Sequence, residues 1–540
     1  MPIQTDREQN VPFTLGTWRG LNQQGRRGSI QDDEEWWNEN LFAIGPGNLR
    51  SCWGHGPAIY TAPAGTQIVR MFFGFIGNTT PQFQKPPPGR LGWMFLSDGT
   101  VDEVDLDTHT VTNIGQIWQP IAPNYWASAK VWRPQFIGNQ VGQQGGVLFG
   151  SPQGLYAWDG TTLSAPGSPA PDWLTDSAET TGTSFTMPIG LPGIYCMEVY
   201  QNRLFVAGKD VISFSTPSNG ANFSTTDGGG SIGYFGDRLT YSYMDLCSSA
   251  GYLYVYGDSS IDLIANVQLS GQGTPESPFT TNMNYSNIDP QVGQMFPRPV
   301  GRIGRYMQMF TGAGIFECRG GEAREIGDKV TNLYVTMDSG TFLPTMCPAT
   351  MFGQRVLLCN GRFTDPFGHT RNLLLMWHPR VMGEEVNFWS IASQNLELTH
   401  IGAYEQDSTI TPYGTDGTSL YQLFAVPDPA LKKHLSTKYL RGDQISQLII
   451  KNGKRLFLEW YDNDGRGVSF TGTFTTGAGG VPNGKEDIGF QSPPGKRYSM
   501  EPQPIYGQGI AGAVDLESIS PDFTIERLHI VSEERTLWGA

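Results

Sequence analysis

Gly92–Leu106, GWMFLSDGTVDEVDL, sets an apolar run, an Asp-Gly turn and a second alternating run side by side. Val147–Leu163 (VLFGSPQGLYAWDGTTL) and Ile410–Phe424 (ITPYGTDGTSLYQLF) repeat the plan. Asp98-Gly99-Thr100, Asp159-Gly160-Thr161 and Asp416-Gly417-Thr418 share one turn chemistry, in which glycine supplies the positive φ of a tight hairpin. Working outward, the same reading fits Arg203–Ser215, Tyr252–Ile264, Tyr306–Ile326 and Arg355–Ile391. The first strands of these units start near residues 93, 148, 204, 253, 306, 356 and 411. A spacing of about 50 residues is that of one four-stranded propeller blade. The chain therefore reads as all-β: a propeller-like domain of about six or seven hairpin-rich blades plus a smaller C-terminal β domain. Stacked β-sandwiches are the competing arrangement.

Composition agrees. Among 540 residues are 68 glycines and 37 prolines, which helix interiors tolerate poorly. Aromatic content of 12% argues for an ordered core, and charged residues reach only 16%. The net charge of −15 is opposite in sign to what attraction to phosphate backbones asks for. Six scattered cysteines without a C-x-x-C pair disfavour a zinc site or a disulfide scaffold and fit synthesis in a reducing cytoplasm. Met1–Asn10 lacks the layout of a signal peptide. Ile68–Ile76 (IVRMFFGFI), the longest apolar candidate, contains an arginine and is strand-sized rather than membrane-spanning.

Three regions follow: residues 1–60 as an N-terminal arm and docking segment, 61–426 as the propeller-like body, and 427–540 as the C-terminal β domain. Pro-rich surface excursions interrupt the body at Thr80–Gly89 and Ser164–Asp172, and VPDP at Val426–Pro429 closes it. Only Asp32–Asn40 and Pro427–Gly442 read as helical.

Catalytic signatures are sparse. The chain has no phosphate-binding loop of the G-x-x-x-x-G-K-[ST] type and no H-E-x-x-H. His369 and His378 share a unit with Cys359 and Asp365, for which packing and turn roles outweigh a metal site. Asp462-Asn463-Asp464-Gly465 resembles the start of a calcium loop but lacks the later ligands, so it reads as a turn in a hairpin between Leu458 and Phe470. Fourteen tryptophans and many carboxylates leave a glycan-binding or glycan-hydrolysing propeller as an alternative. The densest charge run is Asp32-Asp33-Glu34-Glu35 before Trp36-Trp37. It reads as a solvated helix start or as an acidic face lining a pore or docking a partner.

Gly20-Leu21-Asn22, Asn40-Leu41-Phe42 and Pro46-Gly47-Asn48-Leu49-Arg50 open the chain, and Gln201–Phe223 (QNRLFVAGKDVISFSTPSNGANF) lies in mid-chain. Tyr252–Leu263, Val300–Ile326, Leu373–Trp377, Phe388–Ile391 and Leu420–Leu423 follow. The order of these motifs resembles that of the tail nozzle (tail hub) proteins of short-tailed, podovirus-type bacteriophages. The resemblance spans most of residues 18–424.

That resemblance implies a non-enzymatic virion protein without cofactor. Six copies would form a ring below the portal and adaptor complex, beside the tail needle or plug and the tail fibres or spikes. Double-stranded DNA would pass through the ring without specific binding. A neighbouring tail component, adaptor-proximal or fibre-attaching, is the related alternative. The free subunit is expected to be a monomer whose arm orders on docking.

Overall fold

The three Asp-Gly-Thr turns fold alike. Asp98 Oδ1 accepts from the Thr100 N–H at 2.9 Å and its hydroxyl at 2.7 Å, and Asp159 and Asp416 hold Thr161 and Thr418 in the same way. Gly99, Gly160 and Gly417 take φ of 92°, 97° and 97°. Each carboxylate thus replaces a backbone turn bond and fixes the register of the strands on either side.

The computed structural model describes the chain apart from residues 1–9, 32, 46, 77–88, 119–126, 133–144, 176–184, 192, 234–242, 295–300, 304–305, 319, 341, 382–383, 406–408, 441–448, 479–480, 507, 510 and 537–540. Asp32, most of the Pro-rich stretch at 80–89 and most of the polar tract at 175–186 therefore lie outside the described residues.

Seven blades of four antiparallel strands form a ring. Blade 1 comprises Ile68–Gly74, Leu91–Leu96, Thr100–Asp105 and Val111–Gln116. Blades 2, 3 and 4 begin on Ser128–Trp132, Cys196–Tyr200 and Tyr243–Ser249, and blades 5, 6 and 7 on Gly301–Ile303, Thr345–Met351 and His400–Tyr404. The sequence units near 93, 148 and onward are the second strand of each blade. Their period is right and their phase is one strand late, because most of the leading strands are short or carry a charge in mid-run. Blade 7 takes its fourth strand, Ala58–Thr61, from the other end of the chain. It pairs with Ser419–Gln422 through Tyr60↔Leu420 and closes the ring.

Between each neighbouring pair of blades lies one apolar layer. Strand alternation supplies two layers at once: Trp93 and Phe95 face blade 2, while Met94 and Leu96 face blade 7. Buried polar clamps cross the layers. Glu103 accepts from the indoles of Trp93 (2.8 Å) and Trp158 (2.9 Å), joining blades 1 and 2.

Beside the ring stands a sandwich. One of its sheets runs Leu41–Gly45, Asn48–Ser51, Phe523–Thr536, Ile449–Asp462, Tyr498–Pro504, with Asn10–Leu15 added on Phe523–Thr536. The other is continuous with blade 6, passing through Glu35–Glu39, Lys433–Thr437, Ala511–Ser518, Ser469–Ala478 and Val481–Gln491. Leu456, Leu458, Trp460, Phe470, Phe474 and Phe523 fill the space between them.

Several sequence expectations change here. Residues 10–61 are not an arm: they supply four strands to the sandwich sheets and one to blade 7. The two segments read as helical contain strands that pair with each other, Glu39↔His434 and Asn38↔Leu435 among them. Their local helix preference yields to burial in the middle of a nine-stranded sheet. Asp462–Gly465 is not a hairpin turn, since Ile449–Asp462 and Ser469–Ala478 belong to opposite sheets. Asp462 instead caps the crossing, accepting from the Gly465 N–H at 2.7 Å and the Gly467 N–H at 2.8 Å.

Ring closure carries a buried polar bond that can be removed alone. The Tyr60 hydroxyl donates to Asp102 Oδ2 at 2.6 Å, tying the closing strand to blade 1. Tyr60→Phe should lower the urea midpoint by the equivalent of about 1–2 kcal/mol, since it leaves a buried acceptor short of a donor. An unchanged midpoint would mean that this bond adds no net stability to the seam.

Candidate functional site

The leading strands of the seven blades surround a central cavity of about 460 Å³. This lies within the usual range for small-molecule pockets, and side chains from all seven strands project into it. Most of those strands carry a charge there: Arg70, Lys130, Glu198, Asp245 and Arg302, with Glu405 just beyond the seventh strand. His400, Ser128, Tyr195, Thr345 and three cysteines, Cys196, Cys247 and Cys347, add to the polar part of the wall.

The charges are matched across blades. Lys130 Nζ lies 2.8 Å from Glu198 Oε2, joining blades 2 and 3. Burial at the wall works against the Lys130 ammonium, but Glu198 outweighs it and holds the pKa above the usual lysine value. Arg302 reaches Glu405 at 3.5 Å and donates to the Ser248 carbonyl at 3.2 Å, which ties blade 5 to blades 7 and 4. Burial pulls the Arg70 guanidinium down to about 10 against the opposing pull of Asp245, and Arg70 also donates to the Ala127 carbonyl. Three cations thus meet three carboxylates, and the wall is nearly neutral in a chain of net charge −15.

None of these residues was singled out from sequence as a site. A signal was present: one ionisable residue interrupts an otherwise apolar leading strand, as in IVRMFFG, SAKVW and CMEVY. A charge at that position of successive blades points at the axis.

The acidic run lies elsewhere. Asp33 is paired with Arg19 at 2.7 Å on the surface. Glu34 is buried and bonded to Lys329 (3.0 Å), the Asn22 amide (2.7 Å) and the Gln31 N–H (2.9 Å). Burial pushes its carboxyl up, but these partners prevail and hold it below the ordinary glutamate value. Glu35 is buried on the first sandwich strand of the long sheet, and burial raises it to about 8. Glu34 and Glu35 are both buried, and the segment joins the sandwich to blades 5 and 6. The preceding loop returns alongside it, with the Glu35 N–H donating to the Gly20 carbonyl, and this draws the carboxylates inward.

Metal chemistry finds no cluster of three ligands among the described residues. Cys359 packs with Leu375 and Trp377, while the His378 ring sits between Phe42 and Phe388 with its pKa lowered to about 3 by burial. Asp365 is occupied by Arg371 at 3.2 Å and the His369 N–H at 2.9 Å.

No protein-family model matches the chain, and no curated protein matches it. Among solved structures, BBS1N in complex with ARL6DN is similar at a TM-score of 0.39 and 9% identity, covering 69% of this chain and 97% of that one. The β-propeller domain of Nup133 from Vanderwaltozyma polyspora gives 0.33 and 9%, covering 71% and 99%. A Trypanosoma rangeli sialidase, in complex with a difluoro-KDN ligand, gives 0.23 and 9%, covering 92% and 97%. The blade count rests on the sheets described above.

Two outcomes follow from these environments. Unfolded Glu35 loses its proton near 4.5 and folded Glu35 near 8, so its contribution is complete below pH 4.5 and is lost as pH rises to 8. Glu35→Gln should flatten that part of the stability–pH curve, measured by urea denaturation at several pH values, and an unaltered slope would contradict it. The six free cysteines should also be slow towards a thiol reagent at pH 8 in the native state, and all six should titrate in urea. Burial pushes Cys52 and Cys247 up to about 12, and Cys196 and Cys347 well above the ordinary thiol value.

Proposed function

We propose that this chain is a structural subunit of a phage short tail, the nozzle that forms a ring below the portal and adaptor and encloses the path of DNA ejection. The observation that carries the reading is the order of motifs from Gly20 to Leu423, and it belongs to the sequence.

The structure supplies support of a different kind. The motif residues work as joints. Asn40, at φ 59°, donates through its amide to Ser393 (3.0 Å) and the Lys432 carbonyl (2.7 Å), where the sandwich, blade 6 and the 428–433 turn converge. Arg203 is buried and donates to the Ser215 and Gly228 carbonyls, both at 2.7 Å, which fixes the outer turns of blade 3. A cavity of about 460 Å³ crossed by ion pairs suits no duplex, so the DNA path of this reading lies between copies rather than through the propeller. Tyr461, Tyr498, Met500 and Tyr506 are exposed on and beside the sandwich edge, the residue types enriched where proteins meet.

Quantitative mass spectrometry of purified virions tests the proposal. About one copy for every two portal subunits, the ratio the resemblance implies for a sixfold ring on a twelvefold portal, is the expected result. Absence from the particle would overturn it and direct attention to glycan hydrolysis.

A further inference from the structure

The outer edges of the seven blades are not alike. In blade 6 the outermost strand, Glu384–Ala392, is covered by Glu35–Glu39. Blades 2, 3, 5 and 7 end on Leu163–Ser164, Gly230–Gly233, Arg324–Glu325 and Ala58–Thr61, none longer than four residues. Blades 1 and 4 end on Val111–Gln116 (VTNIGQ, six residues) and Thr280–Asp289 (TTNMNYSNID, ten residues). Neither contains proline, lysine or arginine, and their single acid, Asp289, is buried and accepts from the Gln291, Val292 and Ala323 amides.

Open edges recruit further strands, and soluble proteins blunt them by shortness, charge or proline. This chain does so in the sandwich: the edge Tyr498–Pro504 carries Pro502 and Pro504, and Val481–Gln491 carries Pro482, Lys485, Glu486 and Asp487. Among the described residues, no other strand pairs with the outer side of Val111–Gln116 or Thr280–Asp289. Two long blade edges without exposed charge are therefore left open, while the other blades end on short or covered strands.

We infer that these two edges join neighbouring copies, with Val111–Gln116 of one copy adding to Thr280–Asp289 of the next as a fifth strand of blade 4. The inference rests on the ring-subunit reading above. A second copy is the occupant because the chain carries both halves of the contact on separate blades, three apart around the ring. Such a contact is head-to-tail, the kind that closes into rings, whereas one self-complementary edge would make only a two-fold pair. Exposed Thr280, Asn282, Asn284 and Ser286 would face exposed Thr112 and Gln116 with no like charges opposed. Main-chain hydrogen bonds over about six residues supply the attraction.

Thr112→Cys and Asn284→Cys in the full chain, assembled into particles and treated with a short bis-maleimide, test this. The double variant should give a ladder of covalent multimers and each single variant only monomer. Amide exchange of 111–116 and 280–288 should slow together, by at least about tenfold, between free and assembled protein. An assembled ring, established by native mass of the detached tail, that gives no ladder would overturn the inference and leave the ring reading intact. Dimers from Asn284→Cys alone would mean that this edge meets itself, which also overturns it. A chain absent from particles removes both readings.

Discussion

Everything in the ring depends on a pairing between strands more than three hundred residues apart, Ala58–Thr61 against Ser419–Gln422. Each of the seven apolar layers needs a blade on both sides. Without the seam, Tyr60, Ile68, Met94, Leu420 and Tyr413 would meet water instead of one another. The cost of bringing the two segments together grows only slowly with the length of chain between them, while the layer they complete buries nine hydrophobic side chains. Closure thus rests on a contact of very high sequence separation, the kind whose formation is slow.

The same N-terminal segment also builds the second body. Its strands alternate between the two sandwich sheets before the chain enters blade 7, so neither body is made from a continuous stretch. Arg371 shows how tightly they are coupled. It leaves blade 6, meets both oxygens of Glu39 at 2.7 Å and also reaches Asp365 at 3.2 Å. Glu39 in turn accepts from the Trp37 indole at 3.1 Å. A bidentate pair of this kind fixes orientation as well as distance, and it holds the sandwich in register with the sheet that blade 6 extends.

How much of this was legible in the sequence follows from the range of each interaction. Hairpins were legible because turn chemistry is local: Asp98, Asp159 and Asp416 act within three residues of themselves. The repeat of about 50 residues gave the architecture for the same reason. The leading strands escaped notice because Gly301–Ile303 is three residues long and four others hold a charge that interrupts an apolar run. Their partners, the neighbouring leading strands and the opposite charges, lie one blade or more away. Glu35–Glu39 and Lys433–Thr437 failed for the converse reason. Local propensity points to helix in both, but both are strands interior to a sheet assembled from distant parts.

The distribution of charge carries the argument one step beyond the propeller axis. The cavity holds as many cations as carboxylates, and Glu34, Glu39 and Asp365 are neutralised in the joint between bodies. Part of the acidic excess of the whole chain is buried, at Asp102, Glu103, Asp262 and Glu317 among others, and the rest lies outside the cavity. A net charge of −15 disfavours close approach of phosphates and of further copies of the chain, and a contact between copies costs least where charge is absent. Strand edges without exposed charge meet that condition, because main-chain hydrogen bonds attract without regard to net charge. In the proposed assembly, net charge would keep free copies apart while two narrow edges without exposed charge supply the attraction.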